Sequence, residues 1–344
     1  MLQKANQNVD QIFELKKTFR EIFPEESKLL EKAKSDEQIE QLRQKFFNEQ
    51  IAKLKGIVDD ETLKTLTETG GVPMILTPSQ YKALKNARGE AIKVQLTSMV
   101  NTLAYIKKLQ DPSSEMVAGE LLATGVGAIA TGIAAFNATL NAGAAVTAAA
   151  LAGVEVLTVA GIVGIIAAVI VAIFIPILFF MLKPAVCFTF VMNEITDGGG
   201  QLTISGDNNP YCVHGKVDSV TPQISNAIQF ATDLYPVGGF VVTTKNDNAL
   251  VGTQAGFVYN YTDTSGASHD FAFGTECPLT GIYVDNNCYC QVGGTAQGAA
   301  EATDDHNQQS YTNAGTNYTL EINCNSGSGS HAYYIARVTP NSAG

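Results

Sequence analysis

Apolar and polar positions follow three different periods along this chain, and the changes of period mark its parts. In residues 6–23, Val9, Ile12, Phe13, Phe19 and Phe23 fall near one face of a helix that Pro24 ends. From Glu25 to Val58, Leu29, Leu30, Ile39, Leu42, Phe46, Ile51 and Leu54 keep a helical spacing, with charges between them. Gly70-Gly71-Val72-Pro73 breaks the chain. A third helix is predicted from Ser79 to Gln110, with Tyr81, Leu84, Ala91, Met99, Leu103 and Ile106 on or near its apolar face. Residues 1–115 are therefore expected to form an amphipathic helical bundle.

A second pattern begins after the helix restart signal Asp111-Pro112-Ser113. Between Leu121 and Leu182, 62 residues carry a single charge, Glu155. A bilayer core is about 30 Å thick and a helix needs roughly 20 apolar residues to cross it. The run is long enough to cross twice, so residues 116–183 are expected to be an apolar, membrane-inserting helical hairpin. Its first arm offers Leu121, Leu122, Val126, Ile129, Ile133 and Phe136 to lipid. Its second, more apolar arm offers Ile162, Ile165, Ile166, Val169, Ile170, Ile173 and Phe174, before Pro176 kinks or ends it. Gly119, Ala123, Gly127, Thr131 and Ala135 recur at every fourth position, a ridge that lets helices pack closely in lipid.

From Cys187 onward short alternating runs take over: Phe188–Met192, Leu202–Ser205, Gly239–Thr243, Gly256–Tyr261, Tyr283–Val284, Tyr318–Ile322 and His331–Val338. Turn-forming Asp, Asn, Gly and Ser clusters separate them, which predicts an antiparallel sandwich or barrel over residues 184–344. The expected fold class is α+β: an N-terminal helical bundle with an apolar helical hairpin, followed by an antiparallel β-sandwich-like domain.

Charge changes the picture of partners. Residues 1–115 hold 18 Lys/Arg against 17 Asp/Glu, whereas 184–344 hold 3 against 14. An acidic C-terminal part repels phosphate backbones, so nucleic acid is not an expected partner. Simple adsorption to anionic lipid is opposed for the same reason, which leaves a specific lipid head group, a glycan or a protein receptor. All six cysteines, Cys187, Cys212, Cys277, Cys288, Cys290 and Cys324, lie in the β-like part. Their even number suggests two or three disulfides and an oxidising destination, with connectivity open. The N-terminus MLQKANQNVDQIFELKK has no apolar core of a signal peptide, so the expectation is either a mature form or release by lysis or a non-classical route.

Catalytic chemistry finds little support. His214, His269, His306 and His331 stand in no catalytic motif, and Asp304-Asp305-His306 reads as a solvated charge run. No phosphate loop, nucleophile elbow, zinc-protease motif or calcium loop is present, so no enzyme, metal or cofactor is expected. Tyr211, Tyr235, Tyr259, Tyr261, Tyr283, Tyr289, Tyr333 and Tyr334 could supply a sugar- or lipid-facing cluster.

In organisation, residues 1–183 resemble the α-helical pore-forming toxins, the cytolysin A-like and insecticidal helical toxins among them. The resemblance implies a secreted or released cytolysin, soluble until its hairpin enters the membrane of a target cell as a homo-oligomer, with residues 184–344 binding the receptor. Two other readings compete with this virulence role. One is a membrane protein permanently anchored by the hairpin; the other is a secreted β-domain adhesion or interaction protein whose apolar helix pair is buried.

Overall fold

The computed structural model describes Arg20, residues 24–33, scattered positions between 35 and 52, residues 74–100 apart from Thr77, and residues 185–341 apart from 231–232, 248, 280–284, 306–307 and 326–330. The membrane-inserting and helix-packing residues proposed between Gly119 and Phe174 lie outside the described residues, and so does the hairpin itself. Two compact units divide the chain: Met1–Val72 with Thr97–Phe179, and Pro73–Leu96 with Phe180–Gly344. In the first unit, helix α1 (Pro24–Lys32) carries an ion pair between Lys28 and Glu25 at 2.7 Å, and Arg20 pairs with Glu31.

The second unit is built mainly of strands. In chain order it has β1 (Met74–Ile75), helices α2 (Pro78–Asn86) and α3 (Glu90–Val100, shared with the first unit), β2 (Val186–Asn193), β3 (Leu202–Thr203), β4 (Tyr211–His214), β5 (Lys216–Val220), β6 (Gln223–Ile224), β7 (Ile228–Phe230), β8 (Asp233–Tyr235), β9 (Val237–Thr244), β10 (Thr253–Thr262), β11 (Ser268–Cys277), β12 (Asn287–Val292), helix α4 (Ala296–Asp305), β13 (Ser310–Ala314), β14 (Tyr318–Cys324) and β15 (His331–Pro340). One large sheet runs β1-β9-β2-β15-β14-β13, with β5 also on β9; the other large sheet runs β12-β11-β10-β3-β6, with β4 on β10; β7 and β8 pair as a separate two-stranded ribbon. Strands β2 and β15 pair in parallel, so this sheet is mixed rather than antiparallel throughout.

The two sheets face each other across one core. Cys187, Val191, Leu320, Ile322, Tyr334 and Val338 from the first sheet meet Phe257, Tyr259, Phe271, Phe273, Cys288 and Cys290 from the second. Alternation then predicts solvent on the outer faces, but all eight residues of β2 and all eight of β9 are buried. Phe188, Phe190, Met192, Phe240, Tyr333 and Ile335 form an apolar outer face in register with one another. Strands buried on both faces read as continuous apolar runs, as VCFTFVMN and VGGFVV do in this sheet.

Helices α2 and α3 engage this outer face. Leu76, Leu84, Ala87, Ile92 and Leu96 are buried, and Arg88 reaches Glu321 on β14 at 2.5 Å. Beneath them Arg337 binds Glu194 in bidentate fashion at 2.6 and 3.1 Å and Glu321 at 2.7 Å. Burial opposes the guanidinium charge, but the hydrogen bonds to Glu194 and the nearby carboxylates outweigh it and hold the Arg337 pKa above its ordinary value.

Helix α4 closes the other side of the sandwich on a saddle of two glycines. Gly256 and Gly274 lie directly opposite each other on β10 and β11. A Cβ on Gly256 would lie 2.0 Å from the Ala296 carbonyl oxygen, and one on Gly274 would lie 1.9 Å from that of Ala299. Gln254 Nε2 donates to Ala300 O and Thr303 Oγ1, both at 3.0 Å, and Thr295 Oγ1 caps the helix by accepting from Gly298 N at 3.0 Å. Asp304 and Asp305, read from sequence as part of a charge run in a loop, end this helix.

These observations correct the expected fold class and the resemblance that accompanied it. The described residues hold four helices of nine to eleven residues, no N-terminal helical bundle, and no helix long and apolar enough to cross a membrane. Sheets dominate, and the likeness to helical pore-forming toxins, with its transmembrane hairpin, is not upheld. The physical reason is visible at residues 74–96. A helical stripe shows that one face is buried but not against what, and in this fold α2, α3 and the adjoining strand β1 belong to the sandwich.

Candidate functional site

The two ends of the sandwich differ in chemistry. At one end, the β10–β11 hairpin brings Tyr261, His269 and Phe271 against Tyr318 of β14, with His269 and Tyr318 ring centroids 4.8 Å apart and Phe271 and Tyr318 5.1 Å apart. Asp263 Oδ2 pairs with His269 Nε2 at 2.8 Å. Its Oδ1 accepts from Ser265 N at 2.8 Å, Ser265 Oγ at 2.6 Å and Ala267 N at 3.0 Å. The bond to His269, followed by that to the Ser265 hydroxyl, holds the Asp263 carboxyl well below the usual range. Burial, together with the hydrogen bond to Asp197, pushes the Tyr261 phenol up, and burial pushes Tyr318 up to about 12. The Ser265 hydroxyl donates to Asp263 rather than to the imidazole, so these residues do not form the nucleophile–base–orienter chain of acyl transfer. They brace the hairpin.

The opposite end carries the β9–β10 connection. Leu250 is 92% exposed and Val251 45% exposed, although the connection is anchored on both sides. Lys245 N donates to Ala185 O at 3.1 Å, which ties the start of the loop to the start of β2. Lys245 Nζ reaches the carbonyls of Asn246 at 3.2 Å and Ala249 at 3.1 Å, and Ala249 N closes a turn onto Asn246 O at 3.1 Å. Lys216 Nζ stands 3.7 Å from Asp247 Oδ2. On the far side Gly252 is pressed against β11, where a Cβ would fall 2.0 Å from Cys277 O. An apolar tip on a tethered loop is thus presented to the surroundings. Of the three Lys and Arg residues in 184–344, Arg337 is paired with buried Glu194 and half-buried Glu321, while Lys216 and Lys245 stand at the base of this tip.

The residues singled out from sequence divide as follows. Tyr259, Tyr261, Tyr333 and Tyr334 are buried; half-buried Tyr211 and Tyr289 both pack against the Val258, Ala272, Ala296 and Ala299 cluster beside α4, and half-buried Tyr235 packs against the main core; Tyr283 and His306 lie outside the described residues. No disulfide joins the six cysteines in this structure, and five of them are buried. No group of His, Cys, Asp or Glu that could hold a metal ion occurs among the described residues. The Leu250–Val251 tip was not anticipated. Its signal, two apolar residues after Asn-Asp-Asn-Ala, is too short to stand out from the strand residues that follow.

No protein-family model matches this sequence, and no curated protein matches it. Among solved structures, the chain is similar to the lipid binding protein Nakanori, with 17% identity over 45% of this chain and 71% of that one, and a TM-score of 0.34. It is also similar to the lectin XCL of Xerocomus chrysenteron, with 10% identity over 46% of this chain and 100% of that one, and a TM-score of 0.28. Helical toxins do not figure among these likenesses, and at such scores they assign this chain neither a family nor a ligand.

Proposed function

We propose that this chain is a β-domain interaction protein that binds phospholipid surfaces peripherally, through the Leu250–Val251 tip, without catalysis. The exposure of Leu250 on an otherwise tethered loop supports this reading most directly. A leucine and a valine moved from water into the interfacial layer contribute about 1.5–3 kcal/mol each. Lys216 and Lys245 sit where lipid phosphates meet the base of the tip, their stems able to lie along apolar surface. The formal net charge of −11 disfavours strongly anionic membranes, which makes zwitterionic phosphatidylcholine the favoured surface.

The experiment is flotation of the full chain with phosphatidylcholine vesicles. The parent protein is expected to float with the vesicles, and Leu250→Asp with Val251→Asp to weaken partitioning by about 100-fold or more. Circular dichroism should be unchanged, because both side chains face water. Equal flotation of parent and variant, or no flotation of the parent, contradicts the proposal.

A further inference from the structure

Four of the six cysteines meet in the core as two pairs, each drawn from both sheets. Cys187 on β2 and Cys277 on β11 are neighbours in the core, and so are Cys288 on β12 and Cys324 on β14. Cys288 Sγ donates to Ile322 O on β14 at 3.6 Å, and Cys324 Sγ donates to Asn286 O, next to β12, at 3.5 Å. Tyr334 stands among them: its hydroxyl accepts from Cys187 Sγ at 3.8 Å and from Glu276 N at 3.2 Å, and donates to Glu276 O at 2.5 Å. The second pair is fixed by its surroundings as well. Cys288 N and Cys324 N donate to the neighbouring carbonyls of Gln308 and Gln309, at 3.0 and 2.9 Å. Asn286 Nδ2 reaches Asn325 O at 3.4 Å, which holds the two strand ends together. Cys290 Sγ donates to Tyr311 O at 3.7 Å, on β13, a strand that carries no cysteine, and Cys212 on β4 is half-buried beside Cys187.

We propose that Cys187–Cys277 and Cys288–Cys324 are the disulfide pairs of this protein, two bridges that staple one sheet of the sandwich to the other when the chain folds in an oxidising compartment. Cys212 and Cys290 stay as thiols. Each bridge forms by exchange with a small disulfide such as glutathione disulfide. One protein thiolate attacks it and releases a glutathione thiol; the partner thiolate then attacks the mixed disulfide and releases the second. Two protein S–H bonds and the S–S bond of the oxidant are lost. One protein S–S bond and two glutathione thiols are gained, so atoms and electrons balance.

The core sets the timing of this step. The neighbouring thiol of each pair, together with burial, holds Cys277 and Cys324 well above the ordinary thiol range, and burial pushes Cys212 up to about 11 and Cys290 up to about 12. Thiolates are the attacking species, so the closed core resists oxidation and the bridges form while the sheets are still coming together.

The test is to refold the reduced full chain in glutathione buffer, alkylate it in acid, digest it with trypsin and chymotrypsin, and map linked peptides by mass spectrometry. Tyr283 and Tyr289 provide cleavage points that separate Cys277, Cys288 and Cys290. The expected result is Cys187 linked to Cys277, Cys288 linked to Cys324, and Cys212 and Cys290 alkylated. Six alkylated cysteines, or other pairings such as Cys187 with Cys212 at equal or greater yield, overturn the proposal. A second readout is the difference in melting temperature between oxidised and reduced protein, taken within each variant. It should be on the order of 10 °C for the parent and smaller in Cys187→Ala/Cys277→Ala and in Cys288→Ala/Cys324→Ala. It should vanish when all four are alanine, and an undiminished difference there overturns the proposal too. If a variant does not fold, the peptide map of the parent decides.

Discussion

A fragment of residues 184–344 made without residues 73–96 is expected to aggregate or remain unfolded, whereas the same fragment carrying residues 73–96 through a flexible linker should be monodisperse. The outer face of the first sheet presents Phe188, Phe190, Met192, Phe240, Tyr333 and Ile335, all buried in the chain. At about 1.5–3 kcal/mol for each large apolar side chain returned to water, exposing these six costs about 9–18 kcal/mol, comparable to the whole of the 5–15 kcal/mol that usually separates folded from unfolded states. The electrostatic loss adds to it, because Arg337 and Glu194 at 7% and 2% side-chain exposure depend on a surrounding that excludes water. β1 also disappears in the shorter fragment, and with it the pairing of Met74 and Ile75 to β9. Size-exclusion chromatography and near-ultraviolet circular dichroism distinguish the outcomes. A folded, monodisperse 184–344 fragment contradicts the packing of α2 and α3 on this face.

Replacing Gly256 and Gly274 together by valine is expected to lower stability by about 3 kcal/mol or more, a fall in melting temperature of roughly 6–12 °C. The neighbours that a new Cβ would strike are backbone atoms of α4, at 2.0 and 1.9 Å, not the movable ends of side chains. The helix must lift, and the bonds from Gln254 to Ala300 and Thr303 break with it, leaving a buried amide without partners. Gln297→Ala on the exposed side of the same helix serves as a control, and its effect should stay within about 0.5 kcal/mol. An equal effect from the control, or none from the glycine pair, speaks against the saddle. Thermal unfolding reads both.

The sheet strands were partly legible in the sequence, and the reasons differ by element. Phe188–Met192, Gly239–Thr243, Gly256–Tyr261, Tyr318–Ile322 and His331–Val338 fall within β2, β9, β10, β14 and β15. These are long strands whose β-branched and aromatic residues are dense enough to mark them. β11, with Phe271 and Phe273 two apart, carried the same signal more weakly because His269, Asp270 and Gly274 interrupt it. α4 was hidden by its composition. AQGAAEATDD has no bulky apolar residue, since its buried face touches glycine backbone and needs nothing larger than alanine. The parallel pairing of β15 with β2 joins segments far apart in sequence, and no local period encodes it. At the candidate site, the exposed Leu250 is marked by where the fold places it rather than by its neighbours in the chain. The cysteine pairs depend likewise on which strand ends the two sheets bring together.

The chain contains no tryptophan, which makes lipid contact at the tip directly measurable. Leu250→Trp places a single indole at the proposed contact in the full chain, and its emission reports the polarity around that one position. On titration with phosphatidylcholine vesicles, insertion of the tip predicts a blue shift and protection from aqueous quenchers such as iodide. Both should be lost when Val251→Asp is added. An emission maximum that stays at its value in water, with iodide access unchanged at saturating lipid, would contradict it.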